Sequence, residues 1–153
     1  MIKKINYSKY FHNITNNVQS FDYNKIETIR KKISSLNKNN KIILIGNGGS
    51  ASISSHVAVD LTKILKKRAI CFNEPNLITW FANDYGYEKW AEKALEAYAL
   101  KNDVVILISS SGKSKNLVNA CKFAKKKKIY VVTLTGFKKN NPLSKLGNEN
   151  LWV

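Results

Sequence analysis

The sequence predicts an α/β fold: a flavodoxin-like, doubly wound, five-stranded parallel sheet with extra helices at the amino terminus. Three observations carry that prediction. Short β-branched runs, "KIILIG", "RAICFN", "NDVVILISS", "IYVVTLTG" and "NENLWV", alternate with segments of helical periodicity, the order of a parallel sheet linked by helices. The runs are continuously apolar rather than alternating, as in strands covered on both faces. The first run enters a glycine-rich turn, "GNGGS" (46–50), at the start of a helix, where doubly wound domains hold their ligands.

Taken in order, residues 4 to about 36 read as two helices. The second, "YNKIETIRKKISSL", places Ile26, Ile29, Ile33 and Leu36 at helical spacing behind Asp22 as cap. Strand one covers 41–46. The helix after it, "SASISSHVAVDLTKILKK", sets Ile53, Val57, Leu61, Ile64 and Leu65 on a helical period. Strand two covers 68–73. "LITWFAN" and "YEKWAEKALEAYAL" are helical, 102–110 is the third strand and "SKNLVNACKFAKKK" a helix. The fourth strand covers 129–136 and the fifth begins at 148. The chain thus reads as one domain over 1–153, with amino-terminal helices over 1–36 and an α/β core over 41–153. The fifth run reaches Val153 with no covering helix behind it, so this reading expects a domain truncated at its carboxyl end. The loops that should face a ligand are 46–50, 73–76, 109–114 and 135–140.

At 153 residues and 44% apolar, the chain can bury one core. Its 26 Lys and Arg against 10 Asp and Glu give +16, a balance that raises a polyanionic partner. The charge is spread, over Lys3, Lys4, Arg30–Lys32, Lys63–Arg68, Lys122–Lys128, Lys138 and Lys139. Many of these fall on predicted helix faces and ends, where lysine is ordinary, so nucleic acid is not expected as a partner. Cys71 and Cys121 lie in apolar segments and read as reduced thiols. No secretory segment and no apolar run long enough for a bilayer is evident. A cytoplasmic protein is expected.

Three readings of the glycine turn compete. A nucleotide-triphosphate loop fails: "GKS" stands at 112–114, but the glycine required five residues before Gly112 is Leu107. A dinucleotide fingerprint fits Gly46, Gly48 and Ala51, with Glu74 near the place of a ribose-binding acid, yet leaves a second loop unused. That loop is "SSSGKS": Ser109, Ser110, Ser111, Gly112, Lys113 and Ser114. A serine-rich turn between a buried strand and a helix start is a phosphate cradle, because backbone N–H groups and the helix dipole face the anion while hydroxyls donate to it. One ligand between the loops would place its phosphate here and its sugar against Asn47, Gly48 and Ser50. His56 and Asp60 stand one helical turn apart and either bind a divalent metal or simply bond each other. His12 reads as a surface or packing histidine.

Together, "GNGGSAS…SHVAVDLTK", "FANDYG" and "ISSSGKSKNLVNA…VVTLTG" resemble the SIS (sugar isomerase) family, and within it the bacterial phosphoheptose isomerases. The likeness runs from about residue 30 to 153. It implies the SIS fold and an aldose–ketose isomerase that converts sedoheptulose 7-phosphate to a heptose 7-phosphate for cell-surface polysaccharide. It further implies zinc, no nucleotide cofactor, and a homotetramer whose amino-terminal helices pack between subunits. Ser109, Ser111 and Ser114 match phosphate-binding serines, with Ser110 at a neighbouring threonine position. Asn47 and Ser50 match substrate-facing residues, and Asp84 an aspartate that contacts sugar hydroxyls. His56 matches a metal ligand, and Asp60 stands where the family carries a glutamate that is both metal ligand and catalytic base. Two departures follow: Asp60 is one methylene shorter, and a glutamine and a histidine from a later helix have no counterpart in these residues. The alternative is an inactive SIS module that binds a phosphosugar or a protein partner of the replication-initiator-associated type.

Overall fold

A computed structural model describes residues 5–153. The predicted helix start at residue 4, and Lys3 and Lys4, lie outside the described residues. The elements run α1 (Tyr7–Gln19), α2 (Tyr23–Ser34), β1 (Ile42–Gly46), α3 (Gly49–Lys63), β2 (Ala69–Cys71), α4 (Pro75–Tyr85), α5 (Trp90–Tyr98), β3 (Val104–Ser109), α6 (Lys115–Lys126), β4 (Tyr130–Thr135), a 3-10 turn (Leu143–Lys145) and β5 (Glu149–Trp152). All pairings are parallel, in the order β2-β1-β3-β4-β5, the doubly wound arrangement that the sequence predicts.

Side chains alternate across each strand and so feed two cores. Ile43, Ile45, Val105, Leu107 and Val131 pack with Phe81 of α4, Trp90 and Leu95 of α5, and Leu117 and Ala120 of α6. Ile42, Leu44, Val104, Ile106 and Val132 pack on the other face with Ile29 of α2 and Ala58 and Leu61 of α3. β1 and β3 are completely buried, which is why they read as unbroken apolar runs. β2 is an edge strand of three residues, shorter than the predicted 68–73.

Asp22 caps α2 as expected, accepting from the Asn24 and Lys25 amides. The face of α3 differs from the periodicity reading. Ser54, Ala58 and Leu61 are its buried residues, while Ile53, Ile64 and Leu65 are exposed. The first turn packs closely on the end of β1, where a Cβ on Gly46 would overlap the Ser50 carbonyl. The helix ends at Lys63, ahead of Ile64 and Leu65. α1 buries none of its residues and exposes Tyr7, Tyr10, Phe11, Ile14 and Val18, spaced as one apolar stripe.

Candidate active site

In this strand order the chain reverses direction between β1 and β3. α3 leaves β1 for one face and α6 leaves β3 for the other. Doubly wound folds take ligands at such a switch point, outside the carboxyl ends of the two strands, and the glycine and serine loops stand there as two lips.

The glycine lip is shaped by three devices. Gly48 adopts φ +55°, left-handed backbone that a side chain disfavours, and hands the chain to α3 without a side-chain cap. The Ser50 amide donates to the Asn47 carbonyl at 3.0 Å, which closes the turn. Asn73 donates to the Gly46 carbonyl at 2.7 Å and accepts from the Gly46 amide at 3.1 Å, so a side chain extends the ladder where β2 has ended. Nothing in the local sequence marks Asn73 for this. Glu74, the residue a dinucleotide would need, is spent as the cap of α4, accepting from the Asn76 and Leu77 amides.

The serine lip begins with Ser109, which is buried at the end of β3. Gly112 takes φ +61°, and its amide donates to the Ser109 carbonyl at 3.0 Å. Ser114 occupies the cap position of α6 but makes no capping bond; its hydroxyl lies 3.3 Å from that of Ser109. Among the described residues, the Lys115 and Asn116 amides at the helix start have no acceptor. Unpaired N–H groups at a helix amino terminus are an anion site, and here two hydroxyls stand beside them. Ser111 accepts from the Lys113 amide at 3.2 Å, and Ser110 is exposed.

The lip is braced from behind. The Gly136 amide donates to the Ser110 carbonyl at 2.9 Å and the Leu143 amide to the Gly112 carbonyl at 3.0 Å. Asn141 is buried against Gly112, where a Cβ would overlap its side chain. The segment after β4, expected as a ligand loop, thus also serves as a support for this one.

The other expected residues are placed less centrally. His56 and Asp60 do pair, with Nε2 and Oδ2 3.5 Å apart on side chains 79% and 48% exposed. Among the described residues no cluster of three or more His, Cys, Asp or Glu that could hold a metal is present. Asp84 is exposed near the end of α4 and, among the described residues, accepts only from its neighbour Asn83, at 3.1 Å. His12 is exposed on α1. Cys121 is buried, and burial pushes its thiol up to about 11; half-buried Cys71 is raised for the same reason. No described helix is long and apolar enough to cross a membrane.

Fold and loops define a doubly wound α/β domain with two helix-start loops side by side at its topological switch point. Comparison with known proteins gives that class its family. The model of the SIS domain matches residues 6–136, and the chain belongs to the SIS domain family. It is 43% identical over 108 residues to the phosphoheptose isomerase of Cytophaga hutchinsonii, covering 67% of this chain and 56% of that protein. A phosphoheptose isomerase of Helicobacter pylori is 40% identical over 116 residues, covering 72% of this chain and 60% of its own length. The chain thus spans less than two thirds of these relatives. The structure of the phosphoheptose isomerase from Neisseria gonorrhoeae superposes with a TM-score of 0.82 at 24% identity, covering 95% of this chain and 80% of that one, a likeness of fold.

Proposed function

We propose that the protein is a phosphosugar aldose–ketose isomerase acting on sedoheptulose 7-phosphate. The observation that carries this reading is the uncapped start of α6 beside the Ser109 and Ser114 hydroxyls, facing the glycine lip across the switch point. A phosphate monoester fits that cradle, and the open-chain sugar extends towards the Gly48 and Ser50 backbone and the Asp84 carboxylate. The names of the relatives supply the isomerase class.

The reaction moves a proton between C1 and C2 through an enediol. Asp60 is the proposed base: its carboxylate takes the proton from one carbon and returns it to the other, and the His56 imidazole orients it from 3.5 Å away. The imidazole nitrogen and carboxylate oxygen are both zinc donors, two of the three protein ligands a catalytic zinc ordinarily takes. His56 and Asp60 would hold the ion, and when bound it would stabilise negative charge on the enediolate oxygen.

Asp60 lies eleven residues beyond Gly49 on α3, about 16 Å along the helix axis. A heptose phosphate anchored at the serine lip and met by Gly48 and Ser50 at the glycine lip would have to extend a further length of about 16 Å along α3 to meet Asp60 of the same chain. The working site therefore joins the lips of one copy to the His56–Asp60 pair of another, and the protein is a homo-oligomer, a tetramer on the family pattern. The exposed stripe of α1 and the exposed Ile53 and Val59 of α3 are apolar surfaces suited to such packing. The place of action is the cytoplasm, in line with the two free thiols, and the product would feed cell-surface heptose synthesis.

The test is turnover of sedoheptulose 7-phosphate by the chain, with and without added zinc. Formation of the aldose phosphate supports the reading. Binding of the sugar phosphate without turnover under either condition overturns the isomerase assignment in favour of a binding module.

A further inference from the structure

The amide side chain of Asn47, expected to face the sugar, is engaged elsewhere. Its Nδ2 donates to Asn116 Oδ1 at 3.0 Å, and Asn116 Nδ2 donates back to Asn47 Oδ1 at 3.0 Å. The Tyr87 hydroxyl adds a third bond to Asn47 Oδ1 at 3.3 Å. Asn116 is only 2% exposed and sits in the first turn of α6, beside the completely buried Leu117. Its carbonyl oxygen and one amide N–H are engaged with Asn47, and burial keeps the rest of the group away from a ligand. What it does is join the glycine lip to the serine lip.

We infer that Asn116 is a positioning residue that fixes the separation of the two lips and thereby selects the length of sugar phosphate they accept; this rests on the phosphosugar reading above. The sheet locks β1 to β3 only as far as Gly46 opposite Ile108. Beyond that register the loops leave for opposite faces and have no ladder between them. The reciprocal amide pair is the side-chain tie across the gap, and it is directional, since each partner must donate and accept at once. The same stretch of α6 also holds the link between α4 and α5. Lys115 Nζ lies 2.7 Å from Glu88 Oε1, and Asn119 donates to the Glu88 carbonyl at 3.0 Å. Tyr87 and Glu88 are thereby pinned as a third wall around the pair. A ligand that touches only the serine lip is indifferent to the tie. One that spans both lips is measured by it.

The experiment compares affinities for inorganic phosphate, a five-carbon ketose phosphate and sedoheptulose 7-phosphate by titration calorimetry. The proteins are the native chain, Asn116→Leu and Tyr87→Phe. Asn116→Leu removes both bonds of the pair at similar size and without adding charge. Tyr87 is 56% exposed, so Tyr87→Phe keeps the fold and removes only the third bond onto Asn47. We expect inorganic phosphate to bind all three proteins alike. Sedoheptulose 7-phosphate should bind Asn116→Leu about tenfold more weakly and Tyr87→Phe roughly threefold more weakly, with the preference for seven carbons over five reduced in both. Equal weakening of inorganic phosphate and sugar phosphate would show that Asn116 merely supports the fold and would overturn the inference, as would an unmoved preference in both variants. Should Asn116→Leu fail to fold, the preference of Tyr87→Phe decides. A native chain that binds inorganic phosphate but neither sugar phosphate sinks the functional reading itself, and this inference with it.

Discussion

Serine at the cap of a helix ordinarily stabilises it, and replacement by alanine costs about 0.5–2 kcal/mol. Ser114 stands at that position in α6 without a capping bond, its hydroxyl turned to Ser109 at 3.3 Å. Ser114→Ala should therefore cost little stability. In a domain of this size, 1 kcal/mol shifts Tm by roughly 2–4 °C, and the variant should melt within about 1 °C of the native chain. Phosphosugar affinity should respond differently. A hydrogen bond to a charged group contributes about 1.5–3 kcal/mol, so one lost hydroxyl weakens Kd roughly ten- to a hundredfold. Scanning calorimetry reads the first quantity and ligand titration the second. A Tm lowered by several degrees with affinity unchanged would identify Ser114 as an ordinary cap and refute the cradle.

Asp60→Asn should abolish isomerisation while leaving the Kd for sugar phosphate unchanged, checked by a coupled aldose assay beside calorimetry. Asp103 is completely buried, accepts from the Lys41 and Leu100 amides at 2.9 and 2.8 Å, and pairs with Lys41 Nζ at 2.9 Å. Asp103→Ala strands these donors and should cost about 3–5 kcal/mol in urea unfolding. Burial raises the Cys121 thiol from 9.0 to about 11, so its contribution to stability is fully present below about pH 9 and is lost as pH rises towards 11. Cys121→Ala should flatten the fall in urea midpoint between about pH 9 and pH 11, and iodoacetamide should modify half-buried Cys71 before Cys121.

Much of this molecule is legible in its sequence because the signals are local. β1 and β3 announce themselves because both of their faces are covered. Asp22 is readable as a cap because a cap bonds residues two and three places on. The two lips are readable because left-handed glycines and a helix start lie within a few residues of each other. What stays hidden depends on partners far along the chain. Asn73 meets Gly46 across 27 residues and Asn116 meets Asn47 across 69, and an asparagine in a loop or first helical turn carries no mark of which distant backbone or amide it will find. The buried face of α3 differs from its hydropathy pattern for a related reason. Hydropathy seeks large apolar residues, whereas the residues that α3 buries include the small Ser54 and Ala58, and the Ser50 backbone packs against Gly46 with no room for a Cβ.

The division of the proposed site between copies has a direct consequence. A chain carrying Asp60→Asn keeps an intact serine lip, and a chain carrying Ser111→Ala with Ser114→Ala keeps an intact His56–Asp60 pair. Each is expected to be inactive alone. If lip and base belong to one chain, mixing the two cannot create a complete site. If they come from different chains, random association of equal amounts makes about a quarter of the sites complete. Unfolding the two variants together and refolding them as a mixture should then restore about a quarter of native turnover, while refolding each alone restores none. A mixture as inactive as its components would place lip and base in one chain and overturn the division of the site between copies.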